Sequence, residues 1–418
     1  MKLGPLHVVT DRTMAVMQRM IGDLAKSLDE AHYDRHRLAS QLTSPKLPPD
    51  VANHLHCPAD ARLAPTFILE PDADNDPSRQ AVSRVVRAYR LAMKEHVPAA
   101  RGLWDVLEQR NDGFVRALNR GDEEVAGGYL RRMFATDLTW GLGYVAEAVA
   151  ISLRDQPEGN VYQLRVTDLL VALAEAVGAS WVTNVEQGLD KHIRALDVDL
   201  AEILRGVERM TGLDLRVPEV GAGYGCVIDG KKIAPDTIVH SYSVHRLREL
   251  GVSSLDRIAE IGGGFGCLAM LMFRAGFANY TIYDLPWVNA LQGYFLIMSL
   301  PEGSIRLYGE TEGTLAVEPG WCFAEQDDRS ADWVINTNSL PEMGADTARD
   351  YVKSIRRVAK QGFFSINMEA KPMVYGYGEQ NCVPELVAEV GGLRRISRNR
   401  YWMRRGYVEE VYRVQESL

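Results

Sequence analysis

The sequence predicts an α/β protein: a mostly parallel, Rossmann-like sheet with crossover helices, preceded by a half that is all helical. Three observations carry this. From residue 257 onward, short β-rich runs alternate with helical ones, the signature of a parallel sheet covered on both faces. The first of those runs passes directly into a glycine-rich turn and then a helix-forming stretch. Before residue 216, apolar residues recur at helical spacing with charges on the opposite side.

The helical half shows its period in "SRQAVSRVVRAYRLAMKEH", where Val82, Val85, Val86, Tyr89 and Leu91 share a stripe. A polar, proline-rich break, "PTFILEPDADNDPSRQ", separates a first helical hairpin from the rest. Near residue 216 the texture changes. "GCVIDGKKIAP" holds an apolar run, then Asp229-Gly230, then basic residues, which reads as a short hairpin. Strands are expected at 257–262, 280–285, 304–309, 332–338 and 362–367, and helices at 265–275, 287–299 and 346–360. In the tail, two β-rich runs flank Gly406 with no room for a helix, so they should pair antiparallel. Five crossover strands and that pair make a seven-stranded sheet. The expected organisation is a helical domain over 1–215, a hairpin or linker over 216–240, and a sheet-bearing domain over 241–418.

At 418 residues the chain is too long for one ordinary core, so two domains are expected. A composition of 46% hydrophobic and 25% charged residues is that of a globular protein. The formal net charge of -9 argues against sequence-independent nucleic-acid binding, which needs a basic face. Charged residues interrupt every apolar run before it reaches membrane-spanning length, and "MKLGPLHVVTDRTMAVMQRM" does not read as a secretory signal. The five cysteines, Cys57, Cys226, Cys267, Cys322 and Cys382, are odd in number and never form a C-x-x-C pair. A disulfide framework or thiolate zinc site is therefore not expected, and the cytoplasm is the expected compartment.

Two glycine runs compete for a ligand. In "VPEVGAGYGCVIDGKKI" (217–233) the glycines lead into the hairpin, and a connector is the favoured reading. In "IAEIGGGFGCLAMLMFRAG" (258–276) a strand, a glycine turn and a helix follow one another. That order presents backbone N–H groups and a positive helix terminus to a ligand. The spacing is Glu260-x-Gly262-x-Gly264-x-Gly266. A dinucleotide fingerprint would need a third small residue where Cys267 stands. The turn is tight and carries no lysine, which suits a carboxylate better than a pyrophosphate. Asp284 ends the next strand, 20 residues beyond Gly264, where a carboxylate can accept hydrogen bonds from both hydroxyls of a ribose. It also reads as the N-cap of the helix expected at 287–299, since Asp followed by Leu-Pro starts helices well.

This constellation resembles motif I, and the acidic position after it, of class I S-adenosylmethionine-dependent methyltransferases. The resemblance implies their seven-stranded fold and S-adenosyl-L-methionine as cofactor. It implies that Gly262, Gly264 and Gly266 wrap the methionyl part, that Glu260 supports the loop or the cofactor's amino group, and that Asp284, with Leu285 beside it, holds the ribose. "YDLPWVNALQGYFL" (283–296) and "INTNSLPEM" (335–343) resemble segments of a bacterial family of sugar O-methyltransferases, and "DLPWV" is similar to a segment of plant-type small-molecule O-methyltransferases. The resemblance covers about 245–370. It implies a small-molecule acceptor, a sugar or glycoside, and a role in biosynthesis.

A sugar hydroxyl is a poor nucleophile at neutral pH, so a base or a metal must take its proton. "VHSYSVHRLREL" (239–250) supplies His240 and His245, with His245 slightly ahead as base; the alternative is that each caps or packs its helix. "NTNSLPEM" follows the fourth strand, where Asn338 and Ser339 could hold substrate hydroxyls or the cofactor's amino group and Glu342 could act as base. Those residues equally suit a turn and a helix start. Asn367 and Glu369 at the next strand end are weaker candidates.

"HLHC" (54–57) has metal-ligand residue types without a second pair, and no metal is expected. Six arginines between 394 and 405 read as a solvated sheet edge, though a phosphorylated or uronic acceptor could engage one or two. Trp321, Tyr375 and Tyr377 are loop aromatics able to stack on a sugar face. The helical half is expected to cover the acceptor, form a homodimer, or both. The competing readings are a methyltransferase for another O, N or C acceptor, a nicotinamide-dependent oxidoreductase, and a cofactor-binding scaffold without activity.

Overall fold

The computed structural model describes residues 65–69, 78–96, 103–143, 161–182, 199–371, 373–374 and 378–415. The chain divides into two compact units, Met1–His54 and Leu55–Leu418, and every described element belongs to the second. In chain order that unit contains β1 (Thr66–Leu69), α1 (Arg79–Glu95), α2 (Leu103–Arg110), α3 (Asp112–Arg120), α4 (Glu123–Arg131), α5 (Val161–Ala176) and α6 (Leu200–Thr211). The hairpin β2 (Tyr224–Ile228) and β3 (Lys231–Ile233) leads into α7 (Pro235–Glu249). Then come β4 (Ile258–Ile261), α8 (Cys267–Arg274), β5 (Tyr280–Asp284), α9 (Pro286–Ser299), β6 (Ile305–Leu307), β7 (Leu315–Pro319) and β8 (Ala331–Thr337). The chain closes with α10 (Ala345–Val358), β9 (Ala359–Met368), the small pair β10 (Met373–Val374) and β11 (Gly378–Glu379), α11 (Val383–Val390), β12 (Leu393–Arg400) and β13 (Tyr407–Val414).

The main sheet has the order β12-β13-β9-β8-β4-β5-β7-β6. Strands β9, β8, β4, β5, β7 and β6 run parallel to one another, and β13 is antiparallel to both β9 and β12. The expected α/β class and the terminal antiparallel pair are both present. The strand count differs: among the described residues the sheet has eight strands, because Leu315–Pro319 inserts between β5 and the short strand expected at 304–309, which becomes the edge. "TLAVEPG" escapes a pattern search because its apolar run is only three residues long and ends against Glu318-Pro319.

The helical half also differs from expectation. β1 lies in the stretch read as a polar break and pairs with β2, so the hairpin around Asp229-Gly230 is the rest of a three-stranded sheet. The boundary expected at 215/216 is not a break in packing. Val85, Leu118, Leu170 and Leu204 from the early helices belong to the same buried cluster as Leu268, Leu291 and Trp333. A second cluster on the other sheet face holds Ile261, Val334, Phe363, Val352 and Val387 under α10 and α11. With both faces covered, all four residues of β4 are buried. Among the described residues no helix is long and apolar enough to cross a membrane. "HLHC", Tyr375 and Tyr377 lie outside the described residues.

Candidate active site

The strand order reverses direction at β4, with β5 on one side and β8 on the other. A crevice outside the carboxyl ends of such strands is where an open α/β sheet binds ligands. Here a cavity of about 440 Å³ opens there, lined by Gly262–Gly264 after β4, Asp284 after β5, Gly320 after β7 and Asn338 after β8.

The glycine turn is shaped by what presses on it. Gly262 has φ 73° and Gly264 φ 55°, the left-handed region that favours glycine. A Cβ on Gly262 would run into the Ser339 side chain, and one on Gly264 into the Leu142 carbonyl oxygen. Ser339 is fixed by donating to the Ile261 carbonyl at 3.0 Å, beside Asn336, whose Nδ2 donates to the same carbonyl at 2.9 Å. The turns after β4 and β8 are thereby locked together. Gly266 caps α8 behind the turn and does not line the cavity.

Asp284 ties the turn to β5. Its Oδ2 accepts the Gly263 N–H at 2.9 Å and Gln292 Nε2 at 2.7 Å, and its Oδ1 accepts the Leu285 N–H at 2.8 Å. Burial pushes its pKa up to about 6, opposed by these three donors. Asp284 is not the N-cap of α9, which is Leu285 without a side-chain cap; it precedes that residue and is a carboxylate lining the cavity, with about four acceptor positions of which three are used here.

Glu260 does not reach the cavity. It is 1% exposed and lies beneath the turn, its Oε2 close under Gly263 and without a hydrogen-bond partner among the described residues. The Tyr280 hydroxyl lies beside it without forming a good hydrogen bond, and burial pushes the carboxyl up to about 8. Of the two roles the resemblance implies for Glu260, only support of the loop fits this placement.

The other end of the cavity gathers Asn338, Glu342, Arg404 and Tyr407 around Trp104 from α2. Asn338, in the left-handed conformation at φ 61°, reaches Glu342 Oε1 with its Nδ2 at 3.4 Å. Trp104 also hydrogen-bonds Glu342. The Arg404 guanidinium lies 4.2 Å over the Tyr407 ring. Burial pushes the Glu342 carboxyl up to about 7, against the attraction of Arg404 and the Trp104 hydrogen bond. A carboxylate with that value can accept a proton at neutral pH.

The two histidines separate. His240 lines the cavity, and burial pushes its pKa down to about 4. His245, expected to lead as base, is not in the cavity wall: its Nε2 lies 3.5 Å from Glu249 Oε1, one turn along the same helix. The physical reason is helical period: the five-residue step from His240 to His245 is well over one turn and carries the second ring onto a different face. Leu285 and Trp321 line the cavity, with the His96 ring 5.3 Å from Trp321. Of the six tail arginines, Arg395 and Arg398 pair with Glu410 on the sheet edge, and Arg404, in the turn before β13, lines the cavity. Asn367 is buried in β9, and Glu369 pairs with Arg398; neither lines the cavity.

Sequence reasoning missed Gln292, Asn336, Trp104, Asp236, Ser243 and Tyr407. Gln292 gave the best signal, one of two amides within the otherwise apolar helix "WVNALQGYFL". Trp104 and Tyr407 gave none, because long-range folding alone brings them to the strand ends.

No protein-family model matches the chain, and no curated protein matches it significantly. Among solved structures, it is similar to the magnesium protoporphyrin IX methyltransferase of Synechocystis, solved with bound SAM, at 14% identity. The match covers 42% of this chain and 78% of that one, with a TM-score of 0.32. It is likewise similar to a Burkholderia thailandensis 1,6-didemethyltoxoflavin-N1-methyltransferase, at 14% identity over 44% of this chain and 77% of that one, with a TM-score of 0.29. Likeness at this level says nothing about chemistry, and the fold class rests on the strand order of this chain.

Proposed function

We propose that the protein is an S-adenosylmethionine-dependent O-methyltransferase acting on a hydroxyl of a sugar or sugar-containing metabolite. The observation that carries the reading is a single cavity with two unlike ends. At one end a glycine turn, closed to side chains at Gly262 and Gly264, adjoins the Asp284 carboxylate. At the other, Glu342 has a pKa pushed up to about 7. The sequence resemblance in motif I supports the choice of cofactor, and no residue present conflicts with it.

When bound, the cofactor supplies a methyl group activated on a positively charged sulfur. Asp284 would hold the ribose hydroxyls, and the Gly262–Gly264 backbone would cradle the methionyl part. Glu342 would accept the proton of the acceptor hydroxyl as its oxygen becomes methylated. Asn338 and Trp104 hold the carboxylate in place, and Arg404 favours its ionised form. The walls from α2 and α7 keep water from competing for the methyl group.

The test is calorimetry with S-adenosylmethionine and S-adenosylhomocysteine, followed by an acceptor panel of sugars, phenols and amines. Micromolar binding and methyl transfer to a sugar are expected. Failure to bind either nucleoside would overturn the reading, and transfer only to amines or carbon would overturn the acceptor.

A further inference from the structure

Helix α7 carries a stripe of polar side chains into the cavity that the proton transfer at Glu342 does not use. Asp236, His240 and Ser243 recur at i, i+4 and i+7, one face of a helix, and all three line the cavity. The helix lies over the half of the sheet away from Asp284. Tyr242 Oη donates to Glu409 Oε2 on β13 at 2.7 Å, and its ring meets Tyr401 edge-on with centroids 5.5 Å apart. The stripe therefore runs along the cavity wall from Asp236, beside Phe265 and the glycine turn, through His240 to Ser243, next to the Tyr242 that reaches β13.

Ser243 is the telling member. Serine and threonine hydroxyls within helices commonly donate to a carbonyl of the preceding turn. On this same helix Thr237 donates to Ala234 O at 3.0 Å and Ser241 to Ile238 O at 2.7 Å. Among the described residues Ser243 Oγ has no hydrogen-bond partner, although the residue is only 1% exposed. A buried hydroxyl left unpaired is costly, and the cavity is where its partner can come from. One turn earlier, His240 is neutral and presents one donor and one acceptor nitrogen.

We propose that Asp236, His240 and Ser243 form a recognition wall that takes hydroxyl groups of the acceptor remote from the one methylated, with Ser243 setting a preference for polyhydroxylated molecules. This rests on the methyltransferase reading of the same cavity. A hydroxyl is donor and acceptor at once, so it can satisfy a carboxylate, a neutral imidazole or a serine. An apolar acceptor would leave the Ser243 hydroxyl buried and unpaired, and would be rejected for it. A strongly anionic acceptor would meet three carboxyl groups of the cavity lining, Asp236, Asp105 and Glu342.

The test compares the full chain with its Ser243→Ala variant in three readouts. Calorimetry gives the affinity for S-adenosylhomocysteine. Ligand-observed NMR titration of the S-adenosylhomocysteine-loaded protein gives affinities for methyl α-D-glucopyranoside, methyl α-D-mannopyranoside and myo-inositol. Thermal melts report the empty protein. Ser243→Ala should leave the nucleoside affinity within about twofold and weaken at least one polyol by roughly 5- to 30-fold. It should leave the melting temperature of the empty protein unchanged or higher, because it deletes a hydroxyl that has no partner among the described residues; a serine with a merely structural role would lower it. A lowered melting temperature, polyol affinities all within twofold of wild type, or a wild type that binds the nucleoside and no polyol each overturns the proposal. If wild type does not bind the nucleoside at all, the methyltransferase reading falls, and polyol titration of the unliganded chain then judges the wall separately.

Discussion

The backbone N–H of Gly263 donates to Asp284 Oδ2 at 2.9 Å, so the turn that ends β4 is held by the residue that ends β5. Gln292 strengthens the tie by donating from one Nε2 to Asp284 Oδ2 at 2.7 Å and to the Gly264 carbonyl at 2.9 Å. Three segments thus fix the shape of the glycine-turn end of the cavity, and under the proposed reading such a preformed site loses less ordering entropy on binding.

Replacing Asp284 should therefore act twice. Asp284→Ala leaves the Gly263 and Leu285 N–H groups and the Gln292 amide without their acceptor, and should lower stability by about 1–3 kcal/mol. The same variant should weaken S-adenosylhomocysteine binding by a similar amount. Asp284→Asn keeps one carbonyl oxygen and should recover part of the stability and little of the binding. Urea melts and calorimetry on the two variants read this, and equal loss of binding and stability in Asn and Ala would argue against a ribose contact.

Much of this end of the cavity was legible in the sequence because it is local: a strand, alternating glycines, a helix, and an acidic residue one strand later. The pattern specifies backbone conformation, and Gly262 and Gly264 do adopt positive φ. Glu260 shows the limit of such reading. The motif places it in the strand, but strand alternation points it to the face shared with Ile258 and away from the ligand. The acceptor end was scarcely legible. Trp104, Ser243, Glu342 and Arg404 are separated by up to three hundred positions and share only a destination, so no periodicity joins them.

Gly264 and Gly230 make a matched pair, both with positive φ but with different neighbours. Among the described residues nothing lies within 4 Å of a Cβ added at Gly230, so Gly230→Ala should cost only the backbone strain, about 1–2 kcal/mol. At Gly264 the obstacle is the Leu142 carbonyl, a backbone atom that cannot rotate away. Gly264→Ala should be more destabilising than Gly230→Ala in urea melts and should abolish detectable nucleoside binding. Equal costs at the two positions would mean that Leu142 does not close on the turn.

The histidines should behave differently from one another. His245 is turned toward Glu249 and away from the cavity, so His245→Ala should leave turnover within about twofold of wild type. His240 lines the cavity with a pKa pushed down to about 4, so it is neutral at working pH. His240→Gln should raise the acceptor KM without moving the pH at which activity is half-maximal. Steady-state kinetics across pH decides, and a large loss of turnover in His245→Ala would restore that residue as the base.

The pH dependence of Glu342 can be given a sign for both activity and stability. Activity needs the carboxylate, so kcat/KM should rise with pH through a midpoint near the value of about 7 that burial imposes. Stability runs the other way. A carboxyl whose pKa is near 4.5 unfolded and about 7 folded binds more protons in the native state between those values, so its contribution falls as pH rises through that window. Above pH 7 the charge is buried at a cost that Arg404 only partly offsets; below pH 4 the group is protonated in both states and contributes no difference. Glu342→Gln keeps the size and removes the charge. It should melt close to wild type at pH 4 and above it at pH 8, while activity falls by 100-fold or more, roughly the share a positioned general base contributes. Glu260 and Asp284, also pushed upward, titrate alike in both proteins and cancel from the comparison. A variant that melts lower than wild type at pH 8 would mean that the Arg404 attraction outweighs burial, and the base would then have to be sought among the other groups on the cavity wall.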